Sequence, residues 1–280
     1  MRPDIDERPL ETTGVAASCT GVVKIYWTAT GETNALKGID ATFPTGTVTA
    51  VVGPSGSGKS SLLRILAALD RPTAGQVRVG DAELSGLSQA KLRWVRRRLL
   101  GYVFQRPAEN LIPYLTVSEH LRLSARLRGQ RRAEGADDLL EMLGIAGRRD
   151  HLPRHLSGGE QQRLAFAQAV VGTPPVVVAD EPTAELDSTS GQGLLGAVSE
   201  LAALGTSFVV ATHDPAVVER ADRTLYLRHG ALEGESGAGG MLSVIDAAGR
   251  IQLPPQALKL FPDRRAVIRM EDGEIRITPP

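Results

Sequence analysis

The chain has 280 residues, enough for one large α/β domain or a medium domain with a small appendage, and too few for two such domains plus a membrane part. Thirty-two Lys and Arg balance 32 Asp and Glu, although 27 of the bases are Arg and only 5 are Lys. That balance argues against a nucleic-acid binder that works by blanket phosphate attraction. With 42% hydrophobic and 23% charged residues the chain is not of disordered composition, and 4% aromatic content implies a core of Ala, Val and Leu.

Residues 1–19 are polar and Pro-containing and read as a flexible tail without a signal-peptide apolar stretch. Cys19, the single cysteine, reads as a buried or near-terminal structural thiol. Val22 to Trp27 and Ala41-Thr42-Phe43 predict antiparallel strands either side of the turn-like Thr30 to Asn34. Val48 to Val52 reads as a buried strand, followed by a Gly-rich turn and a helix from Lys59 to Leu69. From Lys91 to Gly129 the spacing is helical, and residues 91–132 hold eleven basic and two acidic side chains. Further buried strands are predicted at Val176 to Ala179 and Ser207 to Ala211, which with intervening helices implies a mostly parallel sheet covered on both faces. Residues 233–240 have linker composition, and short strands are expected around Asp246 to Leu253 and Ala266 to Ile277. No stretch reaches the roughly 18 consecutive apolar residues that a membrane helix needs.

The strongest chemical signal is Gly53-Pro54-Ser55-Gly56-Ser57-Gly58-Lys59-Ser60, a phosphate-loop pattern between a strand and a helix. Its glycines let the backbone curl so that N–H groups and the helix N-terminus face phosphates, with Lys59 reaching the β- and γ-phosphates and the Ser60 hydroxyl available to Mg²⁺. A flexible Gly/Ser loop is the bland alternative. Asp180-Glu181 ends the apolar strand Val176 to Ala179, which puts two carboxylates at the sheet edge where ligands sit in parallel α/β folds. Asp180 can hold Mg²⁺ and Glu181 can polarise an attacking water; alone, the pair would read as a helix cap or solvated turn.

Leu156-Ser157-Gly158-Gly159-Glu160-Gln161-Gln162-Arg163 stands 23 residues before Asp180 counting from Ser157, and resembles the signature of ABC-type ATPases. Gln105 in Val103-Phe104-Gln105, the turn Ala184-Glu185-Leu186-Asp187, and His213 in Ala211-Thr212-His213-Asp214 follow the same family's order. The resemblance covers residues 20–232 and implies a P-loop NTPase α/β fold: a RecA-like parallel-sheet core, an antiparallel β subdomain and a helical subdomain at about 91–165. Beyond it, residues 241–280 read as a small β appendage aiding dimerisation or regulation. The resemblance implies ATP and Mg²⁺ as cofactors and Glu181, His213, Gln105 and Lys59 as catalytic residues. Nucleotide would bind Tyr26, residues Gly53 to Ser60, Ser61, Gln105 and Asp180, and in trans Ser157, Gly158, Gly159 and Asp187. Metal would bind Ser60, Gln105 and Asp180. Tyr26 aligns with an adenine-stacking aromatic; a plain strand residue is the alternative and Trp27 is a competitor. The other histidines, His120, His151, His155 and His229, read as structural.

The resemblance further implies a two-fold ATP-sandwich dimer of this chain, a separate membrane permease as partner, and a peripheral place on the cytoplasmic face of the cell membrane. A soluble ABC-type switch acting on nucleic acid or ribosomes is the alternative. Ala68 to Gly75, Ala179 to Asp187 and Ala221-Asp222-Arg223 look most like the lipoprotein-release, macrolide-export and cell-division ATPases. Three departures stand out. Ser61 replaces the commoner Thr, Gln168 replaces Arg, and Arg106 to Asn110 is about two residues longer than usual after the glutamine. The basic stretch reads either as a solvated face or as a contact for permease or lipid, and reversing Arg122, Arg126 and Arg128 is expected to spare ATP hydrolysis but weaken coupling to the permease. Val244 to Pro254 resembles the swapped hairpin of AbrB-like transition regulators, but six bases against five acids in 241–280 argue against DNA.

Overall fold

The computed structural model describes residues 14–28, 31–237, 240–243, 260–261, 265–271 and 274–279. β1 (Val15–Thr28) and β2 (Gly31–Pro44) form a long ribbon, and β3 (Val48–Val52) leads through the glycine-rich turn into α1 (Lys59–Leu66). β4 (Ala74–Val79), β5 (Ala82–Glu83), α2 (Gln89–Arg98), β6 (Leu100–Val103), α3 (Val117–Leu127), α4 (Ala136–Met142) and α5 (Gly158–Val170) follow. The last part holds β7 (Val176–Asp180), α6 (Ser188–Ala203), β8 (Ser207–Ala211), α7 (Pro215–Arg220), β9 (Arg223–Arg228), β10 (Ala231–Gly237), β11 (Gly240–Ser243), β12 (Val267–Glu271) and β13 (Glu274–Thr278).

One sheet has the order β11-β10-β9-β3-β8-β7-β6, with β9, β3, β8, β7 and β6 parallel. The apolar runs read from the sequence form its centre because both faces are covered. Val177 and Ala179 of β7 pack with α5 and α6, while Val176 and Val178 pack with α1 and the second sheet, as a strand's period of two requires. That second sheet, β2-β1-β4-β5, is the expected antiparallel subdomain.

Several boundaries differ from expectation. Strand β1 begins at Val15, inside the expected tail, because Ala16, Ala17 and Cys19 are buried. The Cys19 thiol is pushed up to about 12 by burial, which makes it inert, as a structural thiol should be. The stretch 233–240, expected as a linker, lies largely in the β10–β11 hairpin. β9 escaped prediction because it begins and ends in arginine; Arg223 pairs with Glu235 of β10 and donates to the Thr42 carbonyl of β2, so its charge is held where the two sheets meet. α1 stops at Leu66 rather than Leu69, with Ala68 in the left-handed region at φ 54°. β6 interrupts the region read as helical. The strand expected at Asp246 to Leu253 lies outside the described residues. The expected strand from Ala266 to Ile277 is the β12–β13 hairpin, which pairs Ile268 with Ile277 and Met270 with Ile275.

The basic stretch is not uniformly a solvated face. Arg128 folds inward and donates to the carbonyls of Val171 (2.8 Å), Ala169 (2.6 Å), Leu100 (2.8 Å) and Arg97 (3.2 Å). Burial lowers its guanidinium to about 10. Arg96 caps Ala68 in the same way at 2.6 Å. Reversing Arg128 would therefore strike the fold as well as the surface, unlike exposed Arg122 and Arg126. Arg128→Ala is expected to cost about 3 kcal/mol, since buried carbonyls at the joint of α3, α5 and β6 lose their donor; a denaturation midpoint unchanged from the parent would refute this.

Candidate active site

Four neighbouring parallel strands, β3, β8, β7 and β6, end on one edge, and each delivers a segment singled out in the sequence. β3 runs into the phosphate loop, β8 into Thr212-His213, β7 ends with Asp180 before Glu181, and β6 leads to Phe104-Gln105. Ligand crevices of such sheets lie beyond the carboxyl ends of the strands.

The loop's shape demands glycine at two places. At Gly53, φ is 153° and a Cβ would stand 2.0 Å from the Leu227 carbonyl oxygen; at Gly58, φ is 105° and a Cβ would stand 2.5 Å from that of Ala35. β9 and β2 thus press the loop from outside while its rim, Pro54-Ser55-Gly56, stays exposed. The Gly230 amide donates to the Ser57 carbonyl at 3.0 Å and fixes the back of the loop. Lys59 Nζ crosses the loop to the carbonyls of Gly53 (2.7 Å) and Pro54 (3.2 Å), so the ammonium is already held within the curl. Ser57 Oγ is buried without a hydrogen-bond partner.

Asp180 is buried at the end of β7, where the Ser60 side chain and Lys59 act on its carboxyl. Burial pushes its carboxyl above the usual range, the Glu181 charge adds to this, and Ser60 and Lys59 oppose it. A carboxylate so placed gains from a cation. Glu181 has φ 49°, a strained conformation for a residue with a side chain, and its amide is held by the Ala211 carbonyl at 2.9 Å. Its carboxylate accepts the His213 amide (3.3 Å) and bonds His213 Nδ1 (2.8 Å). The Glu181 side chain is 11% exposed against 79% for His213. The Glu181 hydrogen bond, then its charge, raise the His213 pKa. The structure therefore brings Lys59, Ser60, Asp180, Glu181 and His213 together, with Gln105 at the end of the adjacent strand.

Other expected site residues stand elsewhere in the single chain. Ser157 caps α5 in a reciprocal box with Glu160, which also takes Arg148 Nε at 2.7 Å; the Ser157 amide above all holds the Glu160 carboxyl down at about 2. Gly158 and Gly159 face Glu185 and Leu186. Asp187 caps α6 through the Ser190 amide at 2.8 Å. Among the described hydrogen bonds and ion pairs, none joins Ser157 to Gly159, or Asp187, to the phosphate loop. Tyr26 donates its hydroxyl to Asp70 at 3.0 Å with Lys24 Nζ 4.8 Å from its ring centre, while its neighbour Trp27 is 74% exposed. His120 is buried between the Ile112 amide and the Thr116 carbonyl, a structural role as read. Two contributors were not singled out. Thr183 Oγ1 donates to Asp214 at 2.9 Å and ties the β7 exit to the β8 exit, and Asn110 bonds the Tyr102 carbonyl and the Phe104 amide. Thr183 and Asp214 carry a sequence signal only through their nearness to Glu181 and His213.

The sequence profile described as ABC transporter matches residues 36–184, more than half of the chain. The chain belongs to the ABC transporter family. As a member of that family this cassette is an ATPase, as its five ordered motifs imply. It is 40% identical over 216 residues, 76% of its own length and 93% of the relative's, to the lipoprotein-releasing system ATP-binding protein LolD of Shewanella sp. (strain MR-4). It is 41% identical over 219 residues to the macrolide export ATP-binding/permease protein MacB of Hyphomonas neptunium (strain ATCC 15444), covering 34% of that longer chain. Lipoprotein release and macrolide export are two of the three kinds its motifs resemble. Its fold matches the dimeric post-hydrolysis structure of the ATP-binding cassette MJ0796 bound to ADP and Pi, with a TM-score of 0.74 and 34% identity over 79% of this chain and 98% of that one. The P-loop α/β fold read from the sequence is borne out.

Proposed function

We propose that this cassette hydrolyses ATP as a two-fold dimer at the cytoplasmic face of a membrane and that the closure of the dimer drives a separate permease. The observation that carries this is the convergence of Lys59, Ser60, Asp180, Glu181 and His213 on one sheet edge. Support for the separate permease comes from the relative LolD, named as the ATP-binding protein of a releasing system. Among the described residues no helix is long and apolar enough to cross a membrane. The cassette runs from Val15 to Ser243, since β1 starts at Val15 and β10 and β11 join the main sheet, and the residues after it form an appendage.

The loop amides and Lys59 bind the β- and γ-phosphates, with Ser61 at the α-phosphate and Tyr26 against the base. Tyr26 is pre-set for this by its bond to Asp70. Ser60, Asp180 and Gln105 offer hydroxyl, carboxylate and carboxamide oxygens, the hard donors that Mg²⁺ prefers. Bound there, Mg²⁺ would neutralise phosphate charge. Glu181 orients and polarises the attacking water while His213, anchored through Nδ1, keeps Nε2 for the γ-phosphate side. Ser157, Gly158, Gly159 and Asp187 make none of the described bonds to the phosphate loop of their own chain and act on the nucleotide of a second copy. The dimeric MJ0796 neighbour supports that assignment.

Purified chain is expected to hydrolyse ATP with Mg²⁺, and the tagged chain to recover an integral membrane protein from detergent-solubilised membranes. Recovery of ribosomes or nucleic acid in its place would overturn the permease assignment.

A further inference from the structure

Among the described residues β6 is the last strand of its sheet, and no strand lies beside its outer edge. The Leu99 carbonyl turns inward to the Val176 amide at 3.2 Å, and by the period of two the polar groups of Leu100, Tyr102 and Phe104 turn outward. Outward groups of this kind require a partner. Arg128 supplies one at the Leu100 carbonyl. Asn110 supplies the next two. Its Nδ2 donates to the Tyr102 carbonyl at 2.8 Å and its Oδ1 accepts the Phe104 amide at 2.9 Å, the pair of bonds a further strand would make.

Gln105 follows Phe104 directly, so whatever fixes Phe104 sets where Gln105 leaves the sheet. Between Gln105 and Asn110 the chain closes on itself. The Glu109 amide bonds the Arg106 carbonyl at 3.0 Å, and the Asn110 amide bonds that of Pro107 at 2.9 Å, around a single 3₁₀ turn at Pro107–Glu109. The far side is anchored as well, by the Ile112 amide on buried His120 at 2.8 Å. By the family resemblance this segment is about two residues longer than usual, and the 3₁₀ turn at Pro107–Glu109 lies within it.

We propose that Asn110 is a positioning residue for Gln105: its carboxamide stands in for a neighbouring strand on the open edge of β6 and fixes the exit of Gln105, so that the Arg106–Glu109 turn can vary without moving the site. The proposal rests on the role given above to Gln105. Asn110 touches no nucleotide; it acts through Phe104 and Gln105.

The test compares Asn110→Asp in the parent and in a Gln105→Ala background, by steady-state hydrolysis of ATP with Mg²⁺. The aspartate keeps an acceptor for Phe104 but sets an oxygen against the Tyr102 carbonyl. It is expected to lower kcat about tenfold with KM for ATP within about twofold. Protonating the new carboxyl restores a donor, so the ratio of variant to parent rises as pH falls from about 8 to about 5. In the Gln105→Ala background the second substitution adds less than about twofold, because the effect travels through Gln105. Equal losses in both backgrounds, a ratio flat with pH, or a KM effect without loss of kcat would overturn the proposal. Parental activity in Gln105→Ala alone would instead overturn the role of Gln105 and this proposal with it. Deleting Ala108 and Glu109 serves if Asn110→Asp does not fold. With the clasp intact, kcat should stay within about twofold of the parent, and a tenfold loss would refute the idea.

Discussion

Lys59→Ala is expected to lower kcat/KM for ATP about a thousandfold while leaving the thermal midpoint of the nucleotide-free chain close to that of the parent. Both halves follow from where the side chain sits. Its ammonium bonds the Gly53 and Pro54 carbonyls across the loop and packs into neither core cluster, so the apolar core loses nothing. What the variant loses is a cation held in advance at the place where phosphate charge accumulates, inside a curl of amides shielded by β2 and β9. A positioned charge of this sort needs no reorganisation during reaction, which is why its removal costs more than an exposed ion pair would. Lys59→Arg should rescue poorly, because a planar fork does not fit a pocket shaped for a compact ammonium. Hydrolysis assays and binding of a fluorescent ATP analogue provide the check. Lys59→Ala turnover within tenfold of the parent would remove Lys59 from the site.

How far the sequence reveals this molecule depends on whether a feature is local. The phosphate loop, the Asp180-Glu181 pair and the signature turn were legible because each is a short run whose chemistry is fixed by its neighbours in the chain. The centre of the sheet was legible for the same reason, since Val176 to Ala179 and Ser207 to Ala211 are buried on both faces and carry no polar alternation. β9 was hidden because Arg223 meets its partner Glu235 only after β10 folds back. The inward turn of Arg128 was hidden because its acceptors stand on α2, on β6 and at the end of α5, 28 to 43 residues away in sequence. Charge counting treats every arginine as solvated, whereas the fold uses Arg128 and Arg96 as donors to backbone. Asn110 shows the same limit within the site. Its role depends on β6 being an edge strand, which strand order alone reveals. The pairing of Ser157 to Gly159 with a second copy was read from resemblance alone; within the single chain Gly158 and Gly159 face Glu185 and Leu186.

Glu181→Gln is expected to abolish turnover, by about a thousandfold or more, while ATP-bound dimer accumulates. The neutral amide preserves the shape at a strained position, φ 49°, and can still accept the His213 amide. It removes only the charge. The carboxylate that polarises water is then absent, yet binding groups in the loop, at Ser60 and at Asp180 are untouched, so association outlasts chemistry. A second readout isolates the pair itself. His213 is raised because Glu181 favours its charged form, so the pair stabilises the fold below the ordinary histidine value of 6.5 and that contribution fades as pH rises through the raised value. Glu181→Gln therefore moves the His213 titration to lower pH, which NMR of the imidazole protons reads directly. Size-exclusion chromatography with ATP and Mg²⁺ reads the dimer. Monomer with bound ATP and no hydrolysis would refute assembly in trans but keep Glu181 in the reaction. A variant that still turns over within tenfold of the parent would assign the water to another group, for which His213, 2.8 Å from Glu181, is the nearest base.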